Sequence, residues 1–350
     1  MASVPESHFA IKPIKNPAMK KTLALFLALF TAMSTLVSCK NSSDEPESLS
    51  TPVYEQHAAK FEVTTPSSEY KSIELTSSGN YIIVLKGDVN YSPRRPQGIL
   101  GAMRHSVLLN GTMKTRAWFD DIVEGKYSID ENGDYILANY GRIRVEMEGD
   151  TVACITIIFP DGTEKVIRAA MRNQLPESTM TNNLCRTWNA DKIGLAVKVN
   201  GEKFKSERPA EQFNLLIKEL NEWLVKTIRN KYPEFTDDDD DFEFDEDDLF
   251  DDEEMVKQII FSKSGTYMVK YKNNSLALAT WSWIDEKRGR LRYSWDYGDM
   301  YDDDAAGLVN VSFEDNGMVI REVLMDDYDD GDLEDFPFDI QMTIIWKFRQ

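Results

Sequence analysis

The chain has 350 residues, of which 42% are hydrophobic and 11% aromatic, enough for two ordinary domains with buried cores. Its formal charge of -20 at pH 7 is opposite to the positive footprint that nucleic-acid binding requires, so nucleic acid is excluded as a partner. Its three histidines (His8, His57, His105) include no pair with zinc-ligand spacing, and none follows residue 105, which rules out Ser-His-Asp or Cys-His chemistry in the second half.

Near the start, Met19, Lys20 and Lys21 precede an apolar run from Leu23 to Phe30, and Leu36-Val37-Ser38-Cys39 follows. A basic n-region, an apolar h-region and a small-residue cleavage site make a secretory signal. The run is shorter than the ~20 apolar residues that cross a bilayer as a helix. Leu-Val-Ser-Cys resembles the lipobox of bacterial lipoproteins. The resemblance implies that residues 1–38 are a removed leader, with Met19 the expected initiator, and that Cys39 becomes a lipidated N-terminus. It also implies a membrane anchor in the cell envelope, at the outer membrane, through acyl chains such as palmitate, each buried CH₂ contributing about 0.8 kcal/mol. Residues 39–52, polar and proline-containing, are expected to form a disordered tether.

From residue 53 to 172 short strands alternate with tight turns. Ile73 to Leu75 leads through Ser77-Ser78-Gly79-Asn80 into Tyr81 to Val84, a hairpin with glycine where positive φ is wanted. Lys126 to Ile129, Tyr135 to Ala138, Arg142 to Met147, Thr151 to Phe159 and Thr163 to Arg168 complete an antiparallel meander. It is interrupted by residues 87–124, an insertion with Arg94, Arg95, Arg104, Lys114 and Arg116 and no acid between Val89 and Phe119. A solvated loop is expected there, with a contact surface as the alternative.

Residues 173–183 read as a linker, and the second domain is expected over 184–350. It opens on Leu184-Cys185-Arg186-Thr187-Trp188. A helix is predicted over 209–231, with Pro209 in the first turn and Phe213, Leu216, Ile217, Leu220, Trp223, Leu224 and Ile228 at helical spacing. Residues 237–254 hold 14 acids among 18 residues, expected to form an extended, solvated loop. Hard cations take carboxylates, so weak divalent binding at Asp237, Asp239 and Asp241 is the one metal expectation; no other cofactor is expected. The two remaining cysteines, Cys154 and Cys185, flank apolar sequence and are expected as buried thiols, with a bridge as the alternative.

The last hundred residues alternate most regularly. Val256 to Phe261, Thr266 to Tyr271, Leu276 to Ile284, Arg290 to Trp295, Leu308 to Phe313, Met318 to Met325 and Phe338 to Phe348 are predicted strands, with Phe338, Ile340, Met342, Ile344, Trp346 and Phe348 on one inner face. The fold class is therefore mainly β: two antiparallel meander domains, the second an eight-stranded barrel with one inserted helix. Strand count and Thr187-Trp188, placed where lipocalins carry Gly-x-Trp, make the second domain similar to lipocalins, with Arg186 at the glycine position. That resemblance implies ligand binding. Leu75 to Ile83 also echoes Phe261 to Val269, as a duplication would.

Trp281, Trp283, Tyr293 and Trp295 fall on adjacent strands and are the candidate ligand-lining residues, with core packing as the alternative. No glycine-rich phosphate loop or nucleophile elbow occurs, and no catalytic residue is assigned. The function expected is a non-enzymatic binding module for a small apolar, glycan or protein ligand. A carboxylate-dependent glycan hydrolase and a structural component of a surface assembly are the alternatives.

Overall fold

The computed structural model describes residues 48–86, 122–231, 255–295, 306–325 and 340–350, with the side chains of Ile228, Ser294, Trp295, Ala306, Leu324, Met325 and Ile340 outside that set. Two closed antiparallel barrels follow one another along the chain.

The first barrel is a simple meander: β1 (Ala59–Val63), β2 (Tyr70–Leu75), β3 (Asn80–Leu85), β4 (Ile122–Ile129), β5 (Tyr135–Leu137), β6 (Gly141–Met147), β7 (Val152–Ile158) and β8 (Glu164–Met171). β1 pairs with β8 and closes the ring, Phe61 opposite Met171. Sequence reasoning missed β1, a strand of only five residues in which Lys60 and Glu62 alternate with Ala59, Phe61 and Val63. The interior is filled by alternate residues such as Ile73, Tyr81, Ile83, Tyr127, Ile143 and Ile155. The insertion expected over 87–124 was carried too far, since Ile122 to Glu124 belong to β4 and pair with β3; residues 87–121 and their five basic side chains lie outside the described residues.

Between the barrels, Ser178 caps a short helix α1 (Thr179–Leu184), its hydroxyl accepting from the Thr181 N–H at 2.9 Å. That helix replaces part of the predicted linker. The second barrel comprises β9 (Thr187–Val199), β11 (Val256–Phe261), β12 (Thr266–Tyr271), β13 (Leu276–Asp285), β14 (Arg290–Trp295), β15 (Ala306–Glu314), β16 (Gly317–Met325) and β17 (Ile340–Arg349), closed by β9 against β17. An unpredicted strand, β10 (Glu202–Pro209), forms a hairpin with β9. It escaped notice because Phe204 is its one large apolar residue.

Helix α2 spans Phe213–Lys231 and not 209–231. Pro209 is held extended at φ -49 and ψ 141 as the last residue of β10, and a 3-10 turn over 210–212 separates it from the helix. β9 touches β11 only through residues 187–189 before it turns to β10. Phe213, Leu216, Ile217, Leu220 and Leu224 of α2 belong to the same buried cluster as the barrel interior, so the helix completes the wall where the strands part.

The two hairpins repeat bond for bond. Thr76 N–H donates to Asn80 O and Ser262 N–H to Thr266 O; Tyr127 N–H donates to Gly79 O and Trp281 N–H to Gly265 O. Gly79 and Gly265 turn at φ 78 and 82, and both β2 and β11 carry a bulge one residue after their first pair. The echo seen in the sequence is thus an internal repeat of a whole barrel.

The repeats pack side by side with roles exchanged. Lys60 Nζ donates to Thr266 Oγ1 at 2.9 Å, and Thr187, its counterpart opposite β11, donates to Asn80 Oδ1 at 2.9 Å. Ile82, Val84 and Ile122 meet Ile260, Met268 and Leu276 in a buried apolar seam, flanked by a Lys270–Glu124 ion pair. Such exchange of contacts is the signature of an isologous interface, here within one chain. Both hairpin turns point to one end of the pair, called the lower end. The anchors of the undescribed segments 87–121, 232–254, 296–305 and 326–339 all lie at the upper end.

Candidate functional site

Alternation along β13 turns Trp281 and Trp283 inward and toward the lower end. Trp281 is 4% exposed, meets Phe261 edge-on at 5.8 Å and donates from Nε1 to Ser262 O at 3.0 Å. Trp283 is half-buried, packs edge-on to Trp281 and donates to Thr181 Oγ1 at 3.0 Å, tying α1 across the lower end. Tyr293 is buried on β14 but faces the upper end, and Trp295's side chain lies outside the described residues. Trp281 and Tyr293 are register partners on β13 and β14 and share the inward face with Trp283, so the three described candidates belong to the second core.

A polar group adjoins them beneath the upper end. Tyr293 OH donates to Glu322 Oε1 at 3.1 Å, and Glu322 is 4% exposed on the inward face of β16. A Cβ on Gly307 would come within 2.1 Å of the Tyr293 hydroxyl, so the glycine on β15 is what lets the ring cross that strand to reach β16. Tyr267 and Tyr271 of β12 are fully buried in the same core. Burial first, then Tyr271 and the Glu322 carboxylate, push the Tyr267 phenol well above its ordinary value. Glu322 was legible in principle: it interrupts the inward series Met318, Ile320 with a charge.

The lower part of the barrel interior is occupied by Trp188, Trp346 and Phe348, the last two stacked at 6.0 Å. Trp188 donates from Nε1 to Leu184 O at 2.9 Å, and Arg186 is buried with Nε donating to Asn182 O. Cys154 and Cys185 are both free thiols, the first half-buried and the second buried. Burial drives the Cys185 thiol far above its ordinary value, which makes it inert. Among the described residues no group of three or more His, Cys, Asp or Glu is placed to hold a metal ion; Asp237, Asp239 and Asp241, like Cys39, lie outside them. No described helix is long and apolar enough to cross a membrane.

In the first barrel, burial raises the Tyr127 phenol above the ordinary tyrosine value, with Tyr135 and Tyr54 adding to it. The neutral form is thus favoured in the folded state, as it is for Tyr267. The unfolded chain loses these protons first, near pH 10, so stability is intact below that pH and falls above it, by about 1.4 kcal/mol per pH unit for each buried tyrosine. Tyr127→Phe is expected to flatten that fall in urea titrations between about pH 9 and 11. An unchanged slope would contradict the assignment.

These features define a class: a mainly β protein of two closed eight-stranded antiparallel barrels, the second carrying a buried carboxylate. No protein-family model matches the chain, and no curated protein matches it.

Proposed function

We propose that the protein is a non-enzymatic, lipocalin-like binding module, lipid-anchored in the bacterial outer membrane through Cys39, with its upper end turned away from the bilayer. The carrying observation is the docking of Leu49 at the lower end. Its N–H donates to Asn183 Oδ1 at 2.9 Å, and its side chain packs against the second core. Ten residue steps separate Cys39 from Leu49, a reach of no more than about 35 Å. A lipid on Cys39 therefore keeps the lower end near the headgroups. Because the lower part of the second barrel is filled by its own aromatic side chains, a ligand is taken from the upper end.

Two measurements test this reading. The lipidated chain on vesicles is labelled at Asn132, in the exposed lower turn, or at Asn139, in the exposed upper one. Energy transfer to a membrane acceptor is expected to be stronger from Asn132, and Cys39→Ser is expected to release the protein to the supernatant. Stronger transfer from Asn139, or unchanged partition of Cys39→Ser, overturns the anchoring. A thermal-shift panel of apolar, glycan, amine and protein probes examines binding, and no shift with any of them overturns that part.

A further inference from the structure

We infer that the lower end of the first barrel is a membrane-contact surface, whose exposed apolar rim rests on the headgroup and upper acyl region of the bilayer that holds Cys39. This rests on the reading of the protein as lipid-anchored and adds a second contact with the same membrane.

Strand direction places the surface. Among the described residues nine large apolar side chains are exposed, and five of them, Val53, Met147, Val152, Met171 and Ile284, lie at the lower end. Of the rest, Val166, Leu308 and Val323 lie near upper strand ends and Leu215 is on α2. Met147 is the last residue of β6, Val152 the first of β7 and Met171 the last of β8, three neighbouring strands. Met147 stands opposite Ala153, Val152 opposite Ala170, and the Met171 N–H donates to Thr151 O at 2.7 Å, so the three form one continuous rim. Ile284, one residue from the lower end of β13, adds an apolar side chain at the same end of the second barrel.

Alternation makes the two methionines unusual. Met147 continues the inward series of Ile143 and Val145, and Met171 that of Ile167 and Ala169. Ile143, Ile167 and Ala169 are buried, yet Met147 is 44% exposed and Met171 37%. An inward side chain that reaches water marks a mouth left uncovered on that side, and contiguous exposed apolar surface marks a contact site. Across the mouth Tyr54 covers the other side, its ring 4.8 Å from that of Tyr127 and its N–H on Ser77 O at 3.1 Å. Val53, just before it, is 87% exposed.

The path of the chain says what covers this rim. Leu49 is docked on the second barrel and Tyr54 on the first, so the segment leading back to Cys39 leaves from the lower end of both. Its ten residue steps reach no more than about 35 Å, which keeps an anchored bilayer beside the rim. A tethered surface meets its partner at high effective concentration, so even a shallow apolar rim is held there. Methionine suits such a contact, because its unbranched, polarisable side chain adapts to a fluid surface. The turn between Met147 and Val152 carries Asp150 and Glu148, the latter paired with Arg168, and the whole chain has a charge of -20. A zwitterionic surface is therefore favoured over an anionic one.

The experiment places the lipidated chain on phosphatidylcholine vesicles, with a nitrobenzoxadiazole label at Met147→Cys or, for reference, at Glu164→Cys, an exposed position at the upper end of β8, each in a Cys154→Ser background. The label at position 147 is expected to shift to the blue on the vesicles and to be quenched by headgroup-nitroxide lipid at least about threefold more strongly than the label at position 164. Val53→Glu combined with Val152→Glu, both at exposed positions and with the fold verified by near-UV circular dichroism, is expected to abolish the blue shift while the chain still sediments with the vesicles through Cys39. Sedimentation without a blue shift at position 147, or a shift that survives both substitutions, overturns the contact and leaves the anchor standing. Failure to sediment overturns the anchoring and the contact with it.

Discussion

Met268→Asp should split the unfolding of this protein into two transitions. Met268 is fully buried in the seam between the barrels, against Ile82, Val84, Ile122, Ile260 and Leu276. A carboxylate placed there is desolvated among apolar side chains, the flanking Lys270 being already paired with Glu124, and costs on the order of 3–5 kcal/mol while the seam stays closed. Parting the barrels relieves that cost, because the aspartate then reaches water. The wild-type chain is expected to melt as one cooperative unit in calorimetry, since its two barrels share this seam and the ring of hydrogen bonds around it. The variant should show two endotherms, the earlier at lower temperature, together with faster proteolysis at the exposed seam. Met268→Leu conserves volume and should cost less than about 1.5 kcal/mol, leaving one transition. A single endotherm with an unchanged midpoint in Met268→Asp would mean that the seam does not couple the barrels.

Trp281→Ala is expected to lose about 3–5 kcal/mol, the cost of removing a large buried aromatic and leaving a cavity. The side chain is 4% exposed, holds Phe261 and Trp283 edge-on and bonds the Ser262 carbonyl. Trp281→Phe keeps most of the volume and gives up the hydrogen bond, so about 1–2 kcal/mol is expected. Chemical denaturation gives both values, and the pair separates cavity from hydrogen bond. A loss under about 1 kcal/mol for the alanine variant would place Trp281 outside the core. Its counterpart in the first barrel is Tyr127, which donates to the Thr76 carbonyl at 2.9 Å as Trp281 does to Ser262. Two different side chains make the same bond at the same place in each repeat, so the position is structural in both.

The candidate site was half legible. Tyr293 stood out as an inward aromatic, whereas Glu322 was read as one more residue of a strand from Met318 to Met325. The alternation that identifies the strand also says that residue 322 points inward. It does not say which residues two strands away will meet it, and the Tyr293 contact depends on Gly307, a residue with no side chain to mark it.

The amino-acid sequence by itself determined the mainly β class and nearly every strand of the second barrel, because inward and outward positions alternate with period two and glycine turns punctuate them. It also determined the apolar face of α2, through 3.6-residue spacing. Tertiary structure alone decided that β1 closes the first barrel, that β10 and α2 complete the wall of the second, and that the two repeats lock together through Lys60, Thr187 and Met268. Those features are carried by contacts between residues tens to hundreds of positions apart, and a local pattern records only that a face is apolar or polar, never which distant surface will cover it.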